Sequence, residues 1–224
     1  MRLVRPLTAE FVGTFGLVFA GTAVIITDSF PGGKAGLVGL ALTHGLILAL
    51  GITATMGISG GHLNPAVTLG FLATKRIELK TALAYIGVQV LGGIAGAFAT
   101  RFLIPNNVGR LLSGGLPTIN NNIQLGGAVM LEALMTFFLM SAVMATVANP
   151  KAPKMGGLWV GVAVIAMYLV GGPLTGAAMN PIRAFGPAVV SGVWTGQLAY
   201  WFGPILGAMA AALLWDKVLL KEEA

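Results

Sequence analysis

The chain has 224 residues, 56% hydrophobic and only 9% charged, where a soluble domain carries about 25% charged residues. That excludes a water-soluble enzyme or binding module and implies one polytopic membrane domain. With no cysteine, disulfide frameworks and thiolate metal sites are ruled out, and the net charge of +6 is too dispersed among apolar stretches to suggest nucleic acid.

A membrane-spanning helix needs about 20 apolar residues. The first such stretch, 7–27, follows Arg2 and Arg5 and looks at first like a signal peptide. Glu10 interrupts it, and its pattern recurs later in the chain, so it reads as a first span. A second span covers 36–57. A glycine-rich segment, Met56–Leu63, then leads into an apolar piece, 64–73, too short to cross. It opens on Asn64-Pro65-Ala66, and proline suits the first turn of a helix. This is predicted to be a re-entrant half-helix. The third span covers 82–103. A polar connection, 104–125, holds Asn106, Asn107, Asn120, Asn121 and Asn122; two readings stand, a cover folded over a pore mouth or a flexible loop.

The fourth span covers 126–148, and Asn149-Pro150 with Pro153 marks a stiff turn. The fifth span, 156–173, runs into a second irregular stretch, Gly171–Met179. A second short apolar piece, 180–191, opens on Asn180-Pro181-Ile182, and the sixth span is 197–216.

The chain repeats itself. Ala9-Glu10-Phe11-Val12-Gly13-Thr14-Phe15 matches Leu131-Glu132-Ala133-Leu134-Met135-Thr136-Phe137. Gly92 and Gly96 match Gly203 and Gly207 as small-xxx-small contacts between spans. Asn64 and Asn180 lie 116 residues apart. A single domain, 1–224, therefore divides into halves of about 1–115 and 116–224. Each half has three spans, an odd number, so the second enters the membrane from the opposite side. The expected fold is all-α: six transmembrane helices plus two re-entrant half-helices in an inverted repeat, with a site near the midplane where the broken helices meet. Irregular backbone at that depth survives only inside protein or along a wet cavity.

Nine of the 13 Lys and Arg residues flank one side: Arg2, Arg5, Lys75, Arg76, Lys80, Lys151, Lys154, Lys217 and Lys221. Lys34, Arg101 and Arg110 flank the other, and Arg183 is assigned to the pore. The excess places both termini in the cytoplasm of a multi-pass inner-membrane protein.

Two segments carry a family resemblance: Ser59-Gly60-Gly61-His62-Leu63-Asn64-Pro65-Ala66-Val67-Thr68 and Met179-Asn180-Pro181-Ile182-Arg183-Ala184-Phe185-Gly186-Pro187. Together they resemble the paired signature of the aquaporins (major intrinsic proteins), and the likeness extends over nearly the whole chain. One departure is Ile182, where the family usually has alanine; it is larger and β-branched, and the sequence leaves open whether it shifts how the half-helices abut.

The resemblance implies a passive water channel that excludes protons and ions, assembled as a homotetramer with one pore per subunit and no cofactor. The alternative it leaves is a facilitator of glycerol or other small neutral solutes. It places Arg183 in a narrow selectivity region, and counting along the family pattern adds His44, Tyr168 and Ala177. Ala184, Ala188 and Tyr200-Trp201 fit the water-conducting pattern. His44 beside a small Ala177 resembles members that also pass ammonia, so minor ammonia or peroxide flux is expected.

The residues themselves support a central constriction of Asn64, Pro65, Ala66, Asn180, Pro181 and Ile182. Asn is a good helix cap, and its carboxamide also offers NH₂ donors to water. Each half-helix tip adds about half a positive charge, and such ends, or an arginine, are the known barrier to protons in aquaporin-type pores. Glu10 and Glu132 are read as acceptors for irregular backbone, with a proton relay as the rival. Thr14 and Thr136 are expected to bond helix carbonyls. His62 is expected to brace its loop or to face a vestibule, and Gln89 to bond between helices.

Overall fold

A computed structural model describes residues 3–30, 34–104, 115–152 and 155–220. Arg2, Asn106, Asn107, Arg110, Pro153, Lys154 and Lys221 lie outside the described residues. The helices are α1 (Val4–Asp28), α2 (Gly36–Ser59), α3 (Pro65–Ala73), α4 (Leu79–Leu103), α5 (Leu125–Ala142), α6 (Gly156–Thr175), α7 (Pro181–Ser191) and α8 (Gln197–Leu214). Wider π-helical turns, Val143–Val147 and Trp215–Leu219, extend α5 and α8. Among the described residues, six helices are long and apolar enough to cross a membrane, and α3 and α7 are too short. This is an all-helical, multi-pass membrane fold.

Packing follows the repeat. Helix α1 lies against α4 as α5 lies against α8, and α2 pairs with α6. The half-helices are exchanged between halves: α3 docks on α8, and α7 on α4. Small residues make this possible. A Cβ on Gly92 would stand 2.5 Å from the Phe11 carbonyl oxygen, and one on Gly203 would stand 2.7 Å from that of Val129. Without a hydrophobic drive between helices in lipid, such backbone approach supplies the van der Waals contact that holds spans together.

The irregular stretches are shorter than the glycine content predicts. Helix α2 runs on to Ser59, and α6 runs past Pro173 to Thr175. Each ends on a glycine in the left-handed region, Gly60 (φ 89°) and Gly176 (φ 76°), the usual helix-stopping conformation. Only four residues then remain before each half-helix.

Candidate functional site

Those four-residue links, Gly60–Leu63 and Gly176–Met179, are built alike. Leu63 (φ 50°) and Met179 (φ 51°) both adopt left-handed backbone, which costs a non-glycine residue about 1–2 kcal/mol. Buried carboxylates hold them there. Glu10 accepts from Ser59 Oγ (2.6 Å), His62 N (3.0 Å) and Leu63 N (2.7 Å). Glu132 accepts from Thr175 Oγ1 (2.6 Å), Ala178 N (3.0 Å) and Met179 N (2.8 Å). Each net hydrogen bond contributes about 0.5–1.5 kcal/mol, so three such bonds at each link offset the strain of its left-handed residue.

The turned backbone aims two carbonyls across the centre. Asn64 Nδ2 donates to the Met179 oxygen and Asn180 Nδ2 to the Leu63 oxygen, each at 2.9 Å. Each carboxamide oxygen meanwhile caps its own half-helix, accepting from Ala66 N (2.9 Å) or Ile182 N (3.0 Å), with Pro65 and Pro181 in the first turn. The tips of α3 and α7 therefore meet through a reciprocal bond pair. One amide hydrogen on each asparagine remains for a passing solute.

Ile182 does not push the tips apart. Its side chain is fully buried sideways, with Val18 and Ala97, in the space left by the missing Cβ of Gly93. Ala66, its counterpart, is also fully buried.

A cavity of about 20 Å³ borders His44, Asn64, Ala177, Asn180 and Arg183. About 10–15 Å³ suffices for one water, so the space is water-sized. Arg183 is buried, and its Nη2 donates to His44 Nε2 at 3.1 Å. His44 Nδ1 lies 2.8 Å from the Leu40 carbonyl, which can only accept, so Nδ1 carries the proton and Nε2 the lone pair that Arg183 uses. Arg183 Nη1 is buried with no protein partner among the described residues, a donor left for the cavity. Tyr168 stacks on His44 (ring centroids 4.6 Å apart, 30° between planes) and is not among the residues that border this cavity.

The opposite wall escaped the motif reading. It is apolar: Leu17, Leu48, Leu139 and Val164. The repeat held the signal. Leu17 and Leu139 share the 122-residue spacing of Glu10 and Glu132, and Leu48 and Val164 share the 116-residue spacing of Asn64 and Asn180. Side chains that offer no hydrogen bonds leave a small solute only the polar groups that border the same cavity.

On the other side of the asparagines a wider cavity, about 360 Å³, borders His62, Gly60, Phe71, Tyr85 and Arg76. His62 stacks on Phe71 (4.6 Å) and meets the edge of Tyr85 (5.3 Å). Gln89 bonds across helices to Glu10 and Thr68, as predicted. Thr136 bonds the Glu132 carbonyl at 2.7 Å. Thr14, against expectation, has no protein partner among the described residues.

Half-helices joined tip to tip inside a crossing bundle, with a water-sized cavity bordering both joining asparagines, have the architecture of a channel for small neutral solutes. The comparisons agree. The chain matches the major intrinsic protein family over residues 1–215 and belongs to it. It is 40% identical over 228 residues to aquaporin TIP4-4 of Zea mays, covering 98% of this chain and 88% of that one. It is 39% identical over 224 residues to aquaporin NIP6-1 of Arabidopsis thaliana, covering 99% and 71%. Among solved structures, the aquaglyceroporin of Plasmodium falciparum superposes with a TM-score of 0.84 at 26% identity, covering 96% of each chain. The protein is a passive channel, not an enzyme.

Proposed function

We propose that this channel conducts water and turns back protons and ions. The observation that carries the reading is the water-sized cavity at the His44–Arg183 contact. Arg183 repels cations and donates to the passing molecule. His44 narrows the passage, Tyr168 braces His44, and the small Ala177 leaves room beside them. At the centre, a water accepts from Asn64 and Asn180 under the positive tips of α3 and α7, so its own hydrogens point outward and the proton-conducting chain is interrupted. Glu10 and Glu132 hold the geometry; neither borders the two cavities.

The channel assembles as a homotetramer in a cell membrane with both termini cytoplasmic, Arg183 facing out and His62 facing in. Minor ammonia or peroxide flux accompanies water. The second reading, a glycerol facilitator, draws support from the likeness to the aquaglyceroporin.

Stopped-flow shrinkage of proteoliposomes separates these. A sucrose jump should give fast, unsaturable water flux of low activation energy. Glycerol flux rivalling water would establish the second reading, and absence of ammonia flux above empty vesicles would remove the minor one. Mercury should inhibit poorly, because there is no cysteine to attack.

A further inference from the structure

Thr68 Oγ1 stands at a crossing of three contacts. Gln89 Nε2 lies 3.1 Å away, the Asn64 carbonyl 3.1 Å, and His62 Nδ1 3.1 Å. A hydroxyl has one proton and two acceptor sites. Gln89 Nε2 also donates to Glu10 Oε2 at 2.8 Å, which fixes its amide with the donors toward Thr68. Thr68 therefore accepts from Gln89. The Asn64 carbonyl can only accept, so the hydroxyl proton goes there. All three contacts are hydrogen bonds only if His62 Nδ1 carries its proton. With the proton on Nε2 instead, the Thr68 hydroxyl would have to abandon Asn64 to serve Nδ1, and one contact would be lost.

We propose that Gln89 and Thr68 are positioning residues that lock His62 as the Nδ1–H tautomer, so that Nε2 offers a bare lone pair to the wide cavity. His62 Nε2 has no protein partner among the described residues, and it lies toward Gly60 on the cavity wall. The lock gives the channel an acceptor station on the His62 side, opposite in polarity to the donor that Arg183 Nη1 supplies beyond the asparagines. Water leaving the central amides with its hydrogens outward meets a group that takes a hydrogen. The inference rests on the water-channel reading for its consequence, though not for its chemistry.

Nitrogen-15 magnetic resonance of the full-length protein in liposomes, labelled at histidine, tests the chemistry directly. The His62 signals are assigned by their loss in His62→Gln. The expected result is a pyrrole-type Nδ1 and a pyridine-type Nε2. A protonated Nε2 in the unmodified protein overturns the proposal, whatever the channel conducts. Thr68→Val removes the acceptor while keeping the shape. It should move the proton to Nε2 and lower water permeability by about two- to tenfold, the range set by one lost hydrogen bond. Thr68→Ser should restore both. Unchanged tautomer in Thr68→Val, or failure of serine to restore it, overturns the lock. Restored tautomer without restored permeability overturns the station. If the unmodified protein passes no water while its His62 shows the expected nitrogens, the channel reading has failed and the lock stands.

Discussion

The two half-sites share a backbone and differ in what surrounds it. Both have a glycine stop, a strained residue before asparagine, a carboxylate clamp and a proline-started half-helix. Around the first lie His62, Thr68 and Gln89, joined by hydrogen bonds. The repeat places Ala178, Ala184 and Tyr200 at the same three positions, and these three form an apolar cluster. The charge is distributed the other way: Arg183 in the second half corresponds to Val67 in the first. The duplicated parts build the junction, which needs symmetry because each asparagine bonds to the other half. Of the parts that diverged, His62 borders the wide cavity and Ala178 and Arg183 the narrow one, so the two cavities differ in chemistry.

The clamps give the sharpest way to break this comparison. Leaving a buried donor unsatisfied costs about 1–3 kcal/mol, so removing the acceptor of three or more such donors costs at least about 3 kcal/mol. Glu10→Ala and Glu132→Ala should each lose that much, read as thermal unfolding in detergent. Glu10→Ala should be the worse, because it strands four donors, including Gln89 Nε2, where Glu132→Ala strands three. The reverse order would mean that the polar surroundings of the first half do not strengthen its clamp.

Ile182 comes next. Trimming a buried isoleucine to alanine costs about 2–5 kcal/mol, so Ile182→Ala should lower stability by that amount and leave water selectivity unchanged, since the side chain lies away from the cavity. Gly93→Ala should be harmful alone and should recover part of the loss when combined with Ile182→Ala, as the added methyl enters the vacated space. Altered glycerol or ion passage in Ile182→Ala would show that packing behind the junction does govern the lumen.

What could be seen in the sequence was whatever occurred twice. The Asn-Pro tips, the two glutamates and the paired glycines announced themselves by spacing, because an inverted repeat must keep the residues that meet at its axis. The reciprocal bonds from Asn64 and Asn180 to Met179 and Leu63 were not visible. They depend on positive φ at leucine and methionine, residue types that give no sign of it. The count puts Tyr168 near His44, on which its ring stacks, but a count does not say which side of His44 a ring takes. The effect of Ile182 stayed open because the sequence shows its bulk and not the missing Cβ of Gly93 that receives it. Nothing in the structure explains why Thr14 lacks the bond that Thr136 makes.

Arg183→Val would make the second half resemble the first at the one position where charge divides them. Every 1.4 kcal/mol is a factor of ten, and a unit charge about 4 Å away at a protein surface is worth up to about 4 kcal/mol. Proton or cation leak through proteoliposomes should rise by at least about tenfold, with water flux maintained. An unchanged leak would assign the whole barrier to the symmetric parts, the half-helix tips and their amides.

The smallest effect is expected where the halves end differently. Half-helix α7 stops at Gly192 in the left-handed region (φ 76°). The repeat sets Arg76 at that position in the first half, beyond α3. Arg76 donates to Asp216 Oδ1 through Nε (3.1 Å) and Nη2 (3.0 Å), and through Nη1 to the Ala148 carbonyl at 3.4 Å. It thus ties the end of α3 to the π-helical turn after α8 and to the residue that follows the turn after α5, along the rim of the wide cavity. The pair is partly solvated, with side chains 34% and 21% exposed, so its worth is the roughly 0–1 kcal/mol of a surface ion pair. Arg76→Ala should lower the unfolding temperature only slightly. Because the tie joins three segments at the rim, it should raise protease sensitivity near Ala148 more than it lowers global stability. A loss of several degrees would mean that the pair holds the halves together, and the first half would then owe its anchoring to a charge that the second does without.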